Sequence, residues 1–144
     1  MRRTDQRRAA VVALYQRDVT GRPLSELLDE RATGFTHELV DGVDADLEQL
    51  DALIELYAQD WTVDRIAPLE RNIMRVALHE LLHREDIPTE VAIDEAVEAA
   101  KELCAAETPA FVNGILGSVL RERVPGPTGP VAGTSSDSGR LGER

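Results

Sequence analysis

The spacing of the apolar residues constrains the fold of this chain more than any other feature. They recur every three or four positions along most of the sequence, and no stretch alternates apolar with polar residues as a half-buried strand does. Such spacing places side chains on one side of an α-helix. Over residues 69–84 apolar side chains cover most of the helical circumference, which indicates a central, largely buried helix. We therefore predict an all-α fold.

Prolines and glycines divide this pattern into about seven helical segments of one compact domain. Gly21 and Pro23 end the first helix, and Pro68 stands where the first turn of the central helix would begin. The apolar spacing runs unbroken from Phe35 to Tyr57, which predicts a single helix of about six turns. The predicted helices span residues 4–20, 25–31, 35–57, 69–84, 91–103 and 108–120, with a single turn at 62–67.

Length and composition place this domain at residues 1–123. The chain has 144 residues and a mass of 15.8 kDa, enough to bury a core without a disulfide or a metal, and its single cysteine excludes an internal disulfide. Residues 124–144 contain three prolines, five glycines and three serines, so we predict a disordered C-terminal tail. No apolar run approaches the roughly 18 residues of a membrane span, and no apolar leader follows the first residues. We therefore expect a cytoplasmic protein without a membrane partner.

Charge is distributed unevenly along the chain. The net charge of −11 argues against a general nucleic-acid-binding protein, because non-specific affinity depends on neutralising phosphates with Lys and Arg. Residues 1–22 nevertheless carry six arginines and two aspartates, a local charge of +4. Arg3 and Arg7 lie four residues apart and therefore on one side of the first helix. A basic end on an acidic body indicates a local contact with an anion.

One short motif leaves a catalytic alternative open. Glu80 and His83 form a Glu-x-x-His motif, and helical bundles with two such motifs hold paired metal ions. This sequence has one copy, and its other acidic residues have the density of a solvated helix face. It contains no His-Glu-x-x-His motif, glycine-rich phosphate loop or serine or cysteine nucleophile with a convincing base. We therefore predict no catalytic activity, no metal and no cofactor.

Several blocks of sequence occur in a characteristic order. They are residues 73–82 (IMRVALHELL), 86–88 (DIP), 93–98 (IDEAVE) followed by Ala100 and Lys101, and 111–116 (FVNGIL). Together with Arg7 and residues 13–16 (ALYQ), this series resembles the NusB transcription antitermination family over residues 3–121. The resemblance implies a non-catalytic adaptor that pairs with the ribosomal protein NusE and binds single-stranded boxA RNA. In that family the pair supports transcription of ribosomal RNA operons by the elongation complex.

The resemblance also implies which residues contact RNA and which contact the partner. Glu70 matches an acidic position near the NusE contact. Asp94 and Ala110 replace an asparagine and a basic residue that are common in relatives, and these two departures from the family pattern concern RNA affinity and not the fold. Glu107 matches an acidic position beside the RNA, where its charge repels phosphate. The residues implied to face RNA are Arg3, Arg7, Tyr15, Glu107, Phe111 and Asn113.

Unpaired RNA is held by stacking its bases on aromatic or guanidinium planes while basic groups contact its backbone. We therefore predict that the first and last helices present one small cationic and aromatic face, with Arg7 and Phe111 on the same side. Because the rest of the chain is acidic, we expect weak RNA binding without NusE.

The same sequence supports a second interpretation. The net charge and the many apolar positions of the long helices fit a helical module that binds only other proteins, or associates with itself as a homodimer, without direct RNA binding. The two interpretations can coexist, since a homodimer that buries the first helix would cover the RNA-binding face.

Overall fold

A computed structural model describes residues 2–124, which contain seven α-helices, one 3₁₀ turn and no strand. The helices are α1 (Arg3–Thr20), α2 (Leu24–Leu27), α3 (Gly34–Ala45), α4 (Leu47–Tyr57), α5 (Pro68–His83), α6 (Thr89–Leu103) and α7 (Thr108–Arg123), with the 3₁₀ turn at Val63–Arg65. This architecture confirms the predicted all-α fold. No helix in the described range is long and apolar enough to cross a membrane.

Several helix boundaries follow the glycines and prolines of the sequence. Gly21 ends α1 with a φ of 75°, and its N–H donates a hydrogen bond to the carbonyl of Arg17 at 2.8 Å. Glycine adopts this left-handed conformation without the steric cost of a Cβ. Pro68 is the first residue of α5, as predicted, because that position needs no N–H donor. The tail predicted from residue 124 lies, from residue 125 onward, outside the described residues.

The prediction of a single helix over residues 35–57 is wrong, because the chain breaks between α3 and α4. Asp46 has a φ of −122° and a ψ of 23°, outside the helical region, and its carboxylate lies 3.1 Å from Nε2 of His83. The apolar spacing continues through this break because both helices pack on the same core. The second helix is also shorter than predicted, since it ends at Leu27.

The helix α5 forms the centre of the molecule and contacts α1, α3, α4, α6 and α7. Residues 72–81 are all buried. Met74 and Leu78 are fully buried, and each contributes about 1.5–3 kcal/mol by leaving water. Asn72, Arg75 and Glu80 are buried as well, so their polar groups need partners inside the protein.

Ionic contacts near both ends of α1 hold it antiparallel to α5. Arg7 pairs with Glu80 near the C-terminal end of α5. At the other end, Asp18 accepts hydrogen bonds from Nε of Arg71 at 3.0 Å, Nδ2 of Asn72 at 2.9 Å and Nη1 of Arg75 at 2.8 Å. Burial opposes the charged form of Asp18, but these donors hold its pKa below the ordinary value. Asn72, Arg75 and Glu80 thereby find partners inside the protein.

The helix α3 approaches α5 closely at Gly42. A Cβ at this position would overlap the imidazole ring of His79, so glycine is required by the close approach. The ring is buried, and within residues 2–124 its Nδ1 has no hydrogen-bond partner. Burial, followed by the neighbouring His83, lowers the pKa of His79, which keeps the ring neutral at pH 7.

Candidate nucleic-acid interface

Three guanidinium groups surround the ring of Phe35 near the start of α3. The central guanidinium carbons of Arg3, Arg7 and Arg84 lie 4.3, 5.3 and 5.4 Å from the ring centroid. These distances are within the range of cation–π attraction. We call these four residues the Phe35 cluster. The cluster brings the N-terminal end of α1 close to Arg84, the residue that follows α5.

Carboxylates neutralise two of the three arginines in the Phe35 cluster. Arg84 donates hydrogen bonds to Asp86 at 2.9 Å and also pairs with Glu38, while Arg7 pairs with a carboxylate of α5. Arg3 is exposed, and no carboxylate of residues 2–124 lies within 4 Å of its guanidinium, although its charge contributes to lowering the pKa of Asp86. Arg3 is therefore the member of the cluster that can meet an external anion.

Arg7 has a structural partner that its sequence position did not indicate. Its Nε and Nη2 donate to the Glu80 carboxylate at 2.8–3.1 Å, and the two side chains are only 7% and 1% exposed. Burial opposes the charged form of Arg7, but hydrogen bonding and the charge of Glu80 raise the pKa of its guanidinium. Glu95 lies 3.8 Å from Nη1 and adds a further negative charge. Arg7 is thus a permanently charged link between α1 and α5.

A second surface lies at the opposite end of α5, around the single tryptophan of the chain. Two adjacent depressions of about 470 and 340 Å³ share the side chains of Trp61 and Phe111. The larger is also lined by Glu70 of α5, and the smaller by Tyr57 of α4. We call both depressions together the Trp61 groove. Trp61 is 50% exposed, so its ring is available to a ligand.

Hydrogen bonds from two helices brace the segment that carries Trp61. The N–H of Val63 donates to the Glu55 carboxylate of α4 at 2.8 Å. Arg71 of α5 donates from Nη1 to the carbonyls of Val63 at 3.4 Å and Ile66 at 3.2 Å. Because Arg71 is itself anchored on α1, three helices fix the position of one wall of the groove.

Charged groups line the larger depression beside the two aromatic rings. Glu70 accepts a hydrogen bond from Oγ1 of Thr108 at 3.2 Å. Glu107 and Arg65 also line it, and neither side chain forms an ion pair in the part of the chain that the structure describes. The depression therefore offers aromatic faces, two carboxylates and one guanidinium to a ligand.

A model of the NusB family matches residues 4–121, which is most of the chain. The chain belongs to the NusB family. One similar protein is the transcription antitermination protein NusB of Thermobifida fusca (strain YX). The two are 42% identical over 121 aligned residues, which cover 79% of this chain and 85% of that relative.

Solved structures of NusB proteins share the fold described above. T. maritima NusB matches with a TM-score of 0.79 and 33% identity, covering 87% of this chain and 94% of that chain. A structure described as antitermination factors NusB and NusE in complex with dsRNA matches with a TM-score of 0.73 and 25% identity, covering 83% of this chain and 96% of that chain. The resemblance to NusB seen in the sequence is confirmed.

The structure does not bring together the two residues on which the predicted NusB face depended. Arg7 contacts Glu80, whereas Phe111 shares a depression with Glu70. Ten residues of α5 separate these two glutamates, about 15 Å at the rise of an α-helix. Arg3 belongs with Arg7 in the Phe35 cluster and Glu107 lines the depression beside Phe111, so four of the six implied RNA-facing residues fall into two separate groups. Their roles in RNA binding stay predictions.

Two other residues implied to face RNA in this NusB chain lie outside both groups. Tyr15 is half-buried on α1, one turn before Asp18, which places it level with the first half of α5. Asn113 is exposed on α7 and does not line the Trp61 groove. It follows Phe111 by two residues, so it lies about 200° around the helix from it.

Sequence analysis missed Trp61 and Phe35 as site residues. Trp61 precedes the 3₁₀ turn outside any long helix, where apolar periodicity carries no information about neighbours. The only local sign of a site was that Trp61 and the basic residue Arg65 stand close together in the segment just before α5. Phe35 fits the apolar stripe of α3, and its arginine neighbours come from distant parts of the sequence.

The single Glu-x-x-His motif is divided between two separate contacts. Glu80 binds Arg7, whereas His83 lies against Asp46. Among residues 2–124 no group of three His, Cys, Asp or Glu side chains is arranged to hold a metal ion. Both residues of the motif are accounted for by packing between helices.

Proposed function

We propose that this chain is a non-catalytic transcription antitermination factor that binds boxA-type single-stranded RNA together with NusE. It acts in the cytoplasm with the elongation complex and supports transcription of ribosomal RNA operons. The observation that carries this proposal is the match over residues 4–121 to the NusB family, one of whose similar structures is described as NusB and NusE with dsRNA.

The surface chemistry supports an RNA contact that needs a partner. Arg3 is an exposed cation at one end of α5, and Phe111 and Trp61 are accessible rings at the other. Base stacking and phosphate neutralisation are the two requirements for binding unpaired RNA. The net charge of −11 repels the rest of the RNA backbone, so the partner is needed to supply further favourable contacts.

The experiment is a titration of labelled boxA RNA with the full chain, with and without NusE, followed by fluorescence anisotropy. We expect weak binding by the chain alone and tighter binding when NusE is added. A scrambled single strand and a boxA duplex separate sequence recognition from non-specific binding and from duplex binding. If NusE gives no gain, the proposal fails.

A matched pair of variants tests the RNA-binding role of the N-terminal arginines. Arg3→Ala should weaken RNA binding and lower the slope of log K against log salt by about 0.7 if it contacts one phosphate. Arg31→Ala is the control, because Arg31 is also exposed but pairs with Asp29 and belongs to neither the Phe35 cluster nor the Trp61 groove. An Arg3→Ala slope equal to that of the control would exclude Arg3 as a phosphate contact.

One observation favours the second function, a protein-binding or self-associating module without direct RNA binding. Val12 and Val19 are 38% and 57% exposed, and their spacing of seven residues puts them on one side of α1. Val12 also lines a depression of about 280 Å³ with Leu27 and Leu28. Sedimentation would detect a homodimer. If the homodimer forms through the side of α1 that carries Val12 and Val19, Val12→Gln would dissociate it.

A further inference from the structure

Asp18, in the last turn of α1, is the centre of a polar network between helices. One oxygen of its carboxylate, Oδ2, accepts hydrogen bonds from Arg71, Asn72 and Arg75 of α5. A negative charge in the last turn of a helix is disfavoured by the helix dipole, so this position does not stabilise α1 itself. The reason for an aspartate here lies in its partners on the other helix.

The three donors depend on Asp18 to different degrees. Arg75 also donates to both carboxylate oxygens of Asp51 at 2.7 and 2.8 Å, and Asn72 also donates to a backbone carbonyl of its own helix at 2.8 Å. Within residues 2–124, Arg71 pairs with no carboxylate except that of Asp18. Loss of the Asp18 charge would therefore affect Arg71 more than the other two donors.

Arg71 extends this contact to the segment that precedes α5. Its Nη1 donates to the carbonyls of Val63 and Ile66 at 3.4 and 3.2 Å. A guanidinium is planar and its N–H groups point in fixed directions, so the bond from Nε to Asp18 also aims Nη1 at these carbonyls. Glu55 holds the same segment through the N–H of Val63. Without Asp18, one of these two braces would be weakened and the other would remain.

We propose that Asp18 is a positioning residue, which through Arg71 fixes the segment from Trp61 to Ile66 and thereby raises the affinity of the chain for NusE and boxA RNA. The proposal rests on the proposed function, because it takes this segment to lie beside the surface that binds them. Asp18 does not line the Trp61 groove, so it acts there without touching a ligand. The C-terminal end of α1 is thus a support of the groove, while its N-terminal end carries Arg3.

The first test uses Trp61, the only tryptophan of the chain, as a reporter in the full chain without a ligand. Asp18→Asn keeps the shape of the side chain and removes the charge that orients Arg71. We expect the Trp61 ring to show a larger amplitude of fast motion in time-resolved fluorescence anisotropy and faster quenching by acrylamide. Because Glu55 still holds Val63, the segment should be loosened and not unfolded.

Asp51→Asn is the matched control. Asp51 and Asp18 both pair with Arg75, so each substitution removes one carboxylate charge from the same network. Within residues 2–124, Asp51 makes no hydrogen bond or ion pair with Arg71, so its loss should leave the Trp61 signal unchanged. Urea unfolding of both variants measures their loss of stability. If Asp18 served stability alone, the two variants would show the same Trp61 signal.

A second variant tests whether Arg71 transmits the effect. Arg71→Gln should reproduce the Trp61 signal of Asp18→Asn, since it removes the guanidinium that contacts the segment. Combining the two substitutions should add nothing further, because both act through the same side chain. If Asp18→Asn does not fold, Arg71→Gln alone decides whether the brace fixes Trp61.

The last measurement is the affinity for NusE, with and without boxA RNA. A loosened segment must be ordered again on binding, so Asp18→Asn should weaken binding about two- to tenfold, whereas Asp51→Asn should not. The proposal is overturned if Trp61 moves in Asp18→Asn as it does in the wild type, if Asp51→Asn changes its motion equally, or if NusE affinity is unchanged. If the wild-type chain binds neither NusE nor boxA RNA, the proposed function fails, while the Trp61 measurements still decide whether Asp18 positions the segment.

Discussion

The buried pair of Arg7 and Glu80 allows a stability prediction that also separates structure from RNA binding. Removing one member of a buried ion pair typically costs about 3–5 kcal/mol, because the other charge is left without compensation. In Arg7→Met, Glu80 loses the only side chain that donates to it among residues 2–124. We therefore expect a loss near the upper end of that range, a large fraction of the stability of a small domain.

The reverse substitution should cost less. In Glu80→Met, Arg7 keeps Glu95 at 3.8 Å and the ring of Phe35 at 5.3 Å. The double variant Arg7→Met with Glu80→Met leaves no buried charge unpaired, so its stability should return to within about 2 kcal/mol of the wild type. The three variants form a double-mutant cycle, which measures the coupling between the two side chains.

The assay is urea unfolding followed by far-ultraviolet circular dichroism. Unfolding measured over a range of pH tests the direction in which the stability loss changes with pH. An unpaired buried carboxyl has a raised pKa in the folded state. The penalty in Arg7→Met should therefore be smallest below about pH 4.3 and grow as the pH rises toward neutrality. A loss below about 1 kcal/mol in Arg7→Met, or a double variant as unstable as the sum of both singles, would refute the buried-pair reasoning.

The double variant also tests Arg7 as an RNA contact, since it removes the guanidinium while keeping the fold. If RNA binding by the variant with NusE equals that of the wild type, Arg7 acts only through packing. A loss comparable to that of Arg3→Ala would place its charge at the RNA.

Two further predictions concern the contact between α3 and α5. Gly42→Ala should destabilise the protein by about 1–3 kcal/mol although alanine favours helices, because the new methyl overlaps His79, and thermal melting measures the loss. Adding His79→Ala should recover part of that loss, and a stable Gly42→Ala protein would contradict the close approach. Because burial lowers the pKa of His79 in the folded state, the unfolded state binds more protons near its ordinary pKa of about 6.5. The free energy of unfolding should therefore fall by up to about 1.4 kcal/mol per pH unit as the pH decreases below about 6.5. In His79→Gln this pH dependence should be absent from the stability measured by urea unfolding.

Local patterns determine much of this fold, and α5 shows why. A segment that is apolar around most of its circumference can be satisfied only at the centre of a bundle, so burial of the apolar residues among 72–81 follows from the sequence. The burial of Arg75 and Glu80 within the same segment depends on partners from other helices. The break at Asp46 could not be predicted in this way. Apolar periodicity shows only which face of a helix is buried. The buried residues of α3 and α4 keep the same spacing although the helix is interrupted between them.

The candidate site was less predictable, because its contacts join residues far apart in the sequence. Arg7 has the local appearance of an exposed arginine, and its burial depends on Glu80, which lies 73 residues away. The family resemblance identified Phe111 and Glu107 but not Trp61. The role of Trp61 depends on a depression that forms only when the segment before α5 packs against α7.

The antiparallel pairing of α1 and α5 has a consequence for what the protein can bind. A shift of α1 by one turn, about 5.4 Å, would leave the charges at both of its ends inside the protein without counter-ions. The helices therefore cannot slide to suit a ligand. The spacing between Arg3 and Trp61 is a fixed dimension, and any strand or subunit that reaches both must already match it.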